Sequence, residues 1–189
     1  PVDFLSAGGH KWLLSPVGTG LFYVREELLE TLRVVEVGAA GSAEYNVQKE
    51  LLRYDFTPHP SARRFEGGVP TFALLAGLGA AVDLFLGVGV GRITRHVLAL
   101  SDLAAERLAS VGCEILSPRA VEGEKSGIVA FVHPTISSER LKDSLTREKI
   151  SVSLRTLQGR AVLRVSPHFY NNVADIDRLV ETLARLAGE

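Results

Sequence analysis

The spacing of apolar residues divides the chain into two parts with different predicted architectures. In the first part, short apolar runs at 2–7 and 20–25 predict two strands, and a nearly continuous apolar run at 71–86 predicts a helix that is buried on most sides. Glycines and prolines without sustained periodicity fill residues 34–70. A long irregular segment of this kind usually serves binding or an interface in a compact domain.

The second part alternates helical and strand-like patterns and predicts a small α+β unit. Apolar residues recur every three or four positions from Ile93 to Val111, which predicts a long amphipathic helix, and Gly112 can end it in the left-handed conformation. Further strands are predicted at 113–116, 127–133, 151–154 and 161–165, and further helices at 137–148 and 173–187. We therefore predict an α/β portion over residues 1–91 and an α+β domain over residues 92–189.

Composition and charge limit the classes of function. The 189 residues are 46% hydrophobic and carry a formal net charge of −1, so we expect a globular chain without a field that would recruit nucleic acid or an anionic membrane. The most apolar run, Phe72 to Val82, is interrupted by Asp83 and is shorter than the roughly 18–20 residues that span a bilayer. A single cysteine, Cys113, excludes an internal disulfide and fits a reducing compartment, so we expect a cytoplasmic protein.

The first candidate site surrounds Lys11, which follows Gly8, Gly9 and His10 in a turn between the two predicted strands. A lysine that forms an imine must react as the neutral amine, so it must be desolvated or lie beside cations that lower its reference pKa of about 10.4. The glycines would let a phosphorylated ring approach the backbone, and the imidazole can contact a phosphate. On these residues alone, a surface lysine after a turn is the alternative interpretation.

A second candidate site lies just before the apolar helix. Arg63 and Arg64 precede Gly67, Gly68 and Thr71 there. Two cations, two glycines and the free N–H groups of a helix start suit an anion. The alternative is a solvated basic loop followed by a core helix.

A third candidate is Arg164, which lies within an apolar strand. An unpaired guanidinium would be costly there, so Arg164 should find an anion, either a ligand or an acidic side chain in a structural salt bridge. Arg155 is a weaker candidate for the same pocket. The histidines His59, His96, His133 and His168 show no metal-ligand spacing, so no metal site is expected.

In this order, the three segments resemble those of class V aminotransferases. These are fold-type I enzymes that use pyridoxal 5'-phosphate (PLP), and they include cysteine desulfurases and selenocysteine lyases. The segments that carry the resemblance are Gly8-Gly9-His10-Lys11-Trp12-Leu13-Leu14, Arg64-Phe65-Glu66-Gly67-Gly68-Val69-Pro70-Thr71 and Arg164-Val165-Ser166-Pro167-His168-Phe169-Tyr170-Asn171. The fold it implies is the end of a PLP-transferase large domain over residues 1–91 and a small α+β C-terminal domain over residues 92–189.

The resemblance also implies roles for individual residues. Lys11 would form an aldimine with PLP, and Arg164, with Arg155 as the weaker candidate, would bind the α-carboxylate of a small amino acid. The remaining residues implied to surround the cofactor are His10, Gly8, Gly9, Gly68 and Thr71. The family's second segment reaches the partner subunit's cofactor phosphate, so the resemblance implies a homodimer.

The sequence departs from the family's pattern at three places. Val69 stands where the family has a threonine, and Gly8 stands where many relatives have a hydroxyl residue three positions before the lysine. The connection Arg155 to Ala161 lacks the sulfur-accepting cysteine of the desulfurases, and Cys113 is predicted to be a packed strand residue. A persulfide mechanism is therefore not expected on this part of the chain.

Two hypotheses about function follow. The first is a PLP enzyme that carries out transamination, epimerisation or elimination on a small amino acid, of which this chain is the C-terminal portion. The second is a non-catalytic fragment or assembly module that keeps the fold but lacks half of the cofactor site, since the family's ring-stacking groups precede the lysine.

Overall fold

The structure, a computed structural model, describes residues 2–44 and 56–188. The chain divides into two compact units, residues 1–87 and 88–189. This division lies four residues (91 − 87) before the boundary predicted from the sequence. The assignment of the two units to a large PLP-binding domain and a small C-terminal domain remains a prediction.

The first unit begins with the two strands that the sequence predicts, and the structure pairs them in antiparallel orientation. Strand β1 (Phe4–Gly8) pairs with β2 (Gly20–Val24) over five residues on each side. A 3-10 turn at Glu26–Leu28 follows β2, and further 3-10 turns occupy Ala39–Gly41 and Ala62–Phe65. Helix α1 (Phe72–Val88) closes the unit.

Helix α1 forms where the sequence predicts it, but the prediction that it is buried on most sides is wrong for the described residues. Only Leu78 and Ala81 are buried, whereas Phe72 is 73% exposed and Leu86 is 67% exposed. An apolar sequence shows that a helix tolerates burial all round, but the helix is buried only where other elements cover it. In the described part of the chain, two strands and a set of loops leave most of this apolar surface uncovered.

A glycine lets α1 approach the loop that joins β1 to β2. A Cβ atom at Gly77 would lie 2.6 Å from Cγ of Pro16, a distance that real side chains do not tolerate. At the preceding turn of the helix, Leu74 Cδ1 lies near Gly18, whose φ angle is +96°. Gly77 therefore permits the close contact between α1 and this loop.

The second unit is the small α+β domain that the sequence predicts. Helix α2 (Val90–Ser110) leads into a four-stranded antiparallel sheet of order β3-β4-β6-β5. The other elements are β3 (Glu114–Ile115), β4 (Val129–Val132), α3 (Ser138–Arg147), β5 (Ser153–Leu157), β6 (Arg160–Val165) and α4 (Val173–Ala187). The strand predicted at 151–154 begins two residues later and runs on to Leu157.

The helices and the sheet of the second unit enclose one apolar core. Its fully buried side chains include Leu108, Phe131, Leu141, Leu163 and Leu183. Leu163 and Phe131 are register partners on neighbouring strands, so they lie on the same face of the sheet. Because side chains alternate along a strand, Arg164, which follows Leu163 on β6, lies on the opposite face of the sheet.

No single described helix is both long and apolar enough to cross a bilayer. The consecutive helices α1 and α2 reach the length and apolar content of a membrane span only when they are counted as one segment across the break between them.

Candidate active site

The loop of residues 9–19 carries Lys11 and is closed by its own hydrogen bonds. The Gly9 amide donates to the Thr19 carbonyl (2.9 Å), and the Ser15 amide donates back to the Gly9 carbonyl (3.0 Å). Ser15 and Thr19 are buried, with their hydroxyl oxygens 2.8 Å apart. The loop therefore fixes the backbone of Lys11 while the Lys11 and His10 side chains remain exposed.

Gly9 is required by the packing of this loop. A Cβ atom at Gly9 would overlap the Thr19 hydroxyl oxygen and lie 3.1 Å from Cβ of Ser15. The sequence interpretation is that both glycines keep the backbone open for a ligand. At Gly9, the packing of the loop itself also requires a glycine. At Gly8, a Cβ atom would make only ordinary contacts of 3.5 Å with the His10 ring, so that position is open.

We expect Gly9→Ala to lower the free energy of unfolding by roughly 1–2 kcal/mol, because the added methyl group must displace the buried Thr19 hydroxyl. Urea denaturation followed by circular dichroism measures the change. Gly8→Ala is the matched control and should change the free energy by less than about 0.5 kcal/mol. Equal effects of the two substitutions would contradict this explanation.

The two arginines before α1 do not form the free cationic site that the sequence suggested. The Arg64 side chain is buried and donates from Nη1 to the Leu29 carbonyl (2.6 Å), from Nε to the His59 carbonyl (2.8 Å) and from Nη2 to Glu30 (3.1 Å). Arg63 donates from Nε to the Ala40 carbonyl (2.9 Å). Arg64 is therefore a structural clamp between loops, and the alternative of a purely solvated basic loop is also wrong.

Gly68 and Thr71 lie on the segment that leads into α1. No atom lies within 4 Å of the position that a Cβ would take at Gly67 or Gly68, so this stretch of backbone is open. The Thr71 carbonyl accepts the amides of Leu74 and Leu75, which places Thr71 at the helix start. Because α1 packs on the lysine loop, the structure brings the Thr71 segment and the Lys11 loop into the same unit.

Arg164 lies on β6, in register with Ala130 of β4 and Ser153 of β5. Its side chain is half-buried, and its Nε atom is buried without a hydrogen-bond partner. The structural salt bridge that the sequence left open is not found, since none of the ion pairs between described residues includes Arg164. A buried donor without a partner is costly, and an anionic ligand would satisfy it.

Arg155 lies on the same face of the sheet as Arg164. It is in register with Val162, two residues before Arg164 on β6, and residues two apart share a face. Arg155 is exposed, however, and its Nη1 atom donates to the carbonyl of its neighbour Leu154 (2.7 Å). Arg164 is therefore the stronger candidate for binding an anion.

The connection between β5 and β6 is a tight hairpin. Leu157 and Arg160 are register partners, and the two residues between them, Gln158 and Gly159, have φ angles of +51° and +79°. Two central residues with positive φ are typical of the turn that joins twisted antiparallel strands most directly. A mobile, cysteine-bearing loop therefore has no counterpart at this position.

Cys113 is a core residue, as the sequence predicts. It is buried in the apolar cluster of the second unit, and burial raises the pKa of its thiol from 9.0 to about 11. The thiolate is the nucleophilic form, so at neutral pH this thiol is protonated and inert.

Because its pKa is raised, Cys113 of the folded chain should react with iodoacetamide at pH 8 at least about tenfold more slowly than the same thiol in the unfolded chain. Mass spectrometry of timed samples measures the rate. Rapid alkylation in the folded state would identify Cys113 as a nucleophile.

Sequence reasoning did not find the network that fixes the loop after Arg164. The Asn171 side chain accepts the His168 amide (2.9 Å) and donates to Asp175 (3.0 Å), and Nε2 of His96 lies 2.9 Å from the Asn171 carbonyl oxygen. The Asn171 amide and the Asn172 backbone N–H lower the pKa of the Asp175 carboxyl. The cap itself is a sequence signal: Asn171 or Asn172 is predicted to cap α4, and Asn172 does so in a capping box with Asp175.

The described residues contain no group of three or more histidine, cysteine, aspartate or glutamate side chains placed to hold a metal ion. The candidate residues thus form two sets. Lys11, His10, Gly8, Gly9, Gly68 and Thr71 belong to the first unit, and Arg164 and Arg155 belong to the second.

Comparison with known proteins gives one family match over nearly the whole chain. The model of the family described as aminotransferase class-V matches residues 1–179. A probable cysteine desulfurase of Staphylococcus epidermidis is 28% identical over 96% of this chain and 44% of its own length. An isopenicillin N epimerase of Amycolatopsis lactamdurans is 32% identical over 99% of this chain and 48% of its own length.

Among solved structures, a mutant of the cystine C–S lyase C-DES, with glycine covalently linked to its PLP cofactor, superimposes with a TM-score of 0.80. The two proteins are 22% identical, and the alignment covers 97% of this chain and 46% of C-DES. The fold of the chain is therefore that of a PLP-dependent transferase. The chain spans about half the length of the relatives that it matches.

Proposed function

Because this chain belongs to the class-V aminotransferase family, we propose that it forms part of a PLP-dependent enzyme that acts on a small amino acid. Lys11 is the lysine that binds the cofactor, and Arg164 binds the α-carboxylate of the substrate. The observation that carries the proposal is the buried Nε of Arg164, which lacks a partner among the described residues. A carboxylate is the natural partner of such a guanidinium, because it accepts two parallel charge-assisted hydrogen bonds.

The donor set of the first unit fits PLP. A primary amine at Lys11 suits the cofactor aldehyde, the His10 imidazole suits its phosphate or ring, and the open backbone at Gly8 and Gly68 leaves room for a flat group. Gly68 and Thr71 would face the cofactor that the partner subunit binds in the proposed homodimer, and the Thr71 hydroxyl at the start of α1 is a donor for its phosphate. Arg63 and Arg64 are left out of this set, because both guanidinium groups bond to backbone carbonyls.

When bound, PLP supplies an electron sink that stabilises negative charge at the substrate's Cα atom. The residues of this chain hold and orient the reactants. In this proposal, Arg164 binds the carboxylate of the amino acid. The hydrogen bonds of the loop of residues 9–19 hold the backbone of Lys11, whose amine would take or return the proton at Cα. Since Lys11 is exposed in the described chain, the walls that desolvate its amine belong to the remaining half of the enzyme.

The local structure favours reactions that need no enzyme persulfide. The hairpin at Gln158-Gly159 offers no thiol, and Cys113 is buried in the core. Transamination, epimerisation at Cα and elimination all remain consistent with these residues. The relative of A. lactamdurans, an epimerase, supports chemistry at Cα, whereas the relative of S. epidermidis is a probable cysteine desulfurase.

In the proposed enzyme, this chain is the C-terminal portion, and two copies assemble into a homodimer in the cytoplasm. The segment from Gly67 to Thr71 would then contact the partner subunit's cofactor phosphate. The apolar surface of α1, including Phe72 and Leu86, would be covered in that assembly, which accounts for its exposure in the described chain.

Reduction with borohydride in the presence of PLP tests the proposal. In the complete enzyme, peptide mapping should find the label on Lys11 and on none of the other lysines, which are Lys49, Lys125, Lys142 and Lys149. Lys11→Ala should abolish the label, and Lys142→Ala should not. A label on another lysine would overturn the assignment, and absence of PLP binding by the complete, folded protein would favour the non-catalytic assembly module.

A further inference from the structure

A cavity in the second unit carries three basic groups that the proposed function does not use. It has a volume of about 540 Å³ and is lined by Val88, Arg92, Ile93, Arg95, His96 and Phe169. Cavities of this size hold small organic ligands. We propose that it binds a phosphate monoester that carries a flat apolar group.

The two guanidinium groups in the cavity are available for a ligand. Among the described residues, neither Arg92 nor Arg95 forms a salt bridge or a side-chain hydrogen bond, whereas Arg107 pairs with Asp177 and Arg185 pairs with Glu148. Of the three basic groups of the cavity, His96 alone has a partner among the described residues, since its Nε2 atom contacts the Asn171 carbonyl. No acidic side chain lines the cavity.

The position of these cations is unfavourable without an anion. Arg92 and Arg95 lie in the first two turns of α2, where the aligned peptide dipoles already place positive charge. The first turn of α2 contains no acidic residue, and no side chain caps it, whereas α3 and α4 carry Glu139 and Asp175 in their first turns. A dianion in the cavity would offset the repulsion among these charges.

Glycines keep the backbone beside the cations open. The stem of Arg92 is the nearest group to the Cβ position of Gly89, at 3.9 Å, and Nη1 of Arg95 is the nearest to that of Gly91, at 3.8 Å. An anion held by both guanidinium groups can therefore also approach the main chain there. The planar group of a phosphate ester would contact the remaining lining, which is Val88, Ile93 and Phe169.

Calorimetric titration of the complete protein with inorganic phosphate and with AMP tests this proposal, because AMP combines the phosphate with a flat ring. We expect both to bind, with AMP at least about tenfold tighter through contact with Phe169. The double substitution Arg92→Gln and Arg95→Gln should weaken the binding of both by at least about tenfold. Phe169→Leu should weaken only AMP.

Arg140→Gln is the matched control, since Arg140 is also an exposed arginine in the first turn of a helix but lies on α3 outside the cavity. It should leave both affinities unchanged. Equal weakening by Arg140→Gln, or unchanged affinity in the double variant, would show that the cavity is not the binding site. Equal affinities for phosphate and AMP would show that the ligand need not be a phosphate ester with a flat group. If the double variant does not fold, each single Arg→Gln variant should still weaken phosphate by at least about threefold, and unchanged affinity in both would refute the proposal.

Discussion

Replacement of Arg64 by alanine is expected to lower the free energy of unfolding by about 2–5 kcal/mol. The substitution leaves the carbonyls of Leu29 and His59 without the donors that they have in the native loops, and each unsatisfied buried acceptor costs about 1–3 kcal/mol. The ion pair with Glu30 adds little, because that carboxylate is 82% exposed. Denaturant titration monitored by circular dichroism measures the change.

Arg63 provides the control for this prediction. It neighbours Arg64 and makes one hydrogen bond, to the Ala40 carbonyl, but its side chain is exposed, so Arg63→Ala should cost about 1 kcal/mol or less. Arg64→Lys should recover little of the lost stability, because a single ammonium group cannot reach the two carbonyls and Glu30 in the planar geometry of a guanidinium. If Arg64→Ala were as stable as Arg63→Ala but bound PLP poorly, the sequence interpretation of Arg64 as a ligand of the anion would be correct.

The second unit was predictable from its sequence because it buries its own core. The periodicity of α2, the apolar strands and the amphipathic face of α4 all pack against elements within the same hundred residues, so local pattern and tertiary packing agree. The left-handed end of α2 also followed from a single residue, since Gly112 has a φ angle of +87°.

The first unit was less predictable because its apolar residues and its charges depend on contacts between distant loops. The sequence of α1 does not reveal which of its faces the chain covers, and only Leu78 and Ala81 are buried. Arg64 resembles a free cation in the sequence, whereas its partners at Leu29 and His59 lie 35 and 5 residues away along the chain. A pairing of that kind carries no local signal.

The candidate site was also predictable only in part. The alternation of residues along β6 identified Arg164 as a charged group in an apolar strand, and its unsatisfied Nε follows directly from that placement. The role of Gly9 could not be predicted, because the Thr19 hydroxyl that excludes a side chain there enters from the opposite end of the loop. Sequence patterns therefore identified residues whose chemistry suits a binding site. The packing of the structure separates side chains that can still bind a ligand from those that already hydrogen-bond to other parts of the chain.

Replacement of Arg164 by alanine in the complete enzyme is expected to weaken amino acid binding by about 10- to 150-fold, which corresponds to the roughly 1.5–3 kcal/mol of a charge-assisted hydrogen bond. The absorbance of the bound cofactor should stay nearly unchanged, because the proposed role of Arg164 is to bind the substrate carboxylate and not the cofactor. Spectral titration with several amino acids measures both quantities in one experiment.

Arg155→Ala is the matched control, because Arg155 lies on the same face of the sheet but is exposed and bonded to the Leu154 carbonyl. We expect it to weaken binding by less than about threefold. Arg164→Lys should restore only part of the affinity, since an ammonium group cannot form the paired hydrogen bonds of a guanidinium with a carboxylate. An Arg164→Ala enzyme that folds normally, retains its cofactor and binds amino acids with unchanged affinity would show that the carboxylate is held elsewhere and that the partnerless Nε of Arg164 has another function.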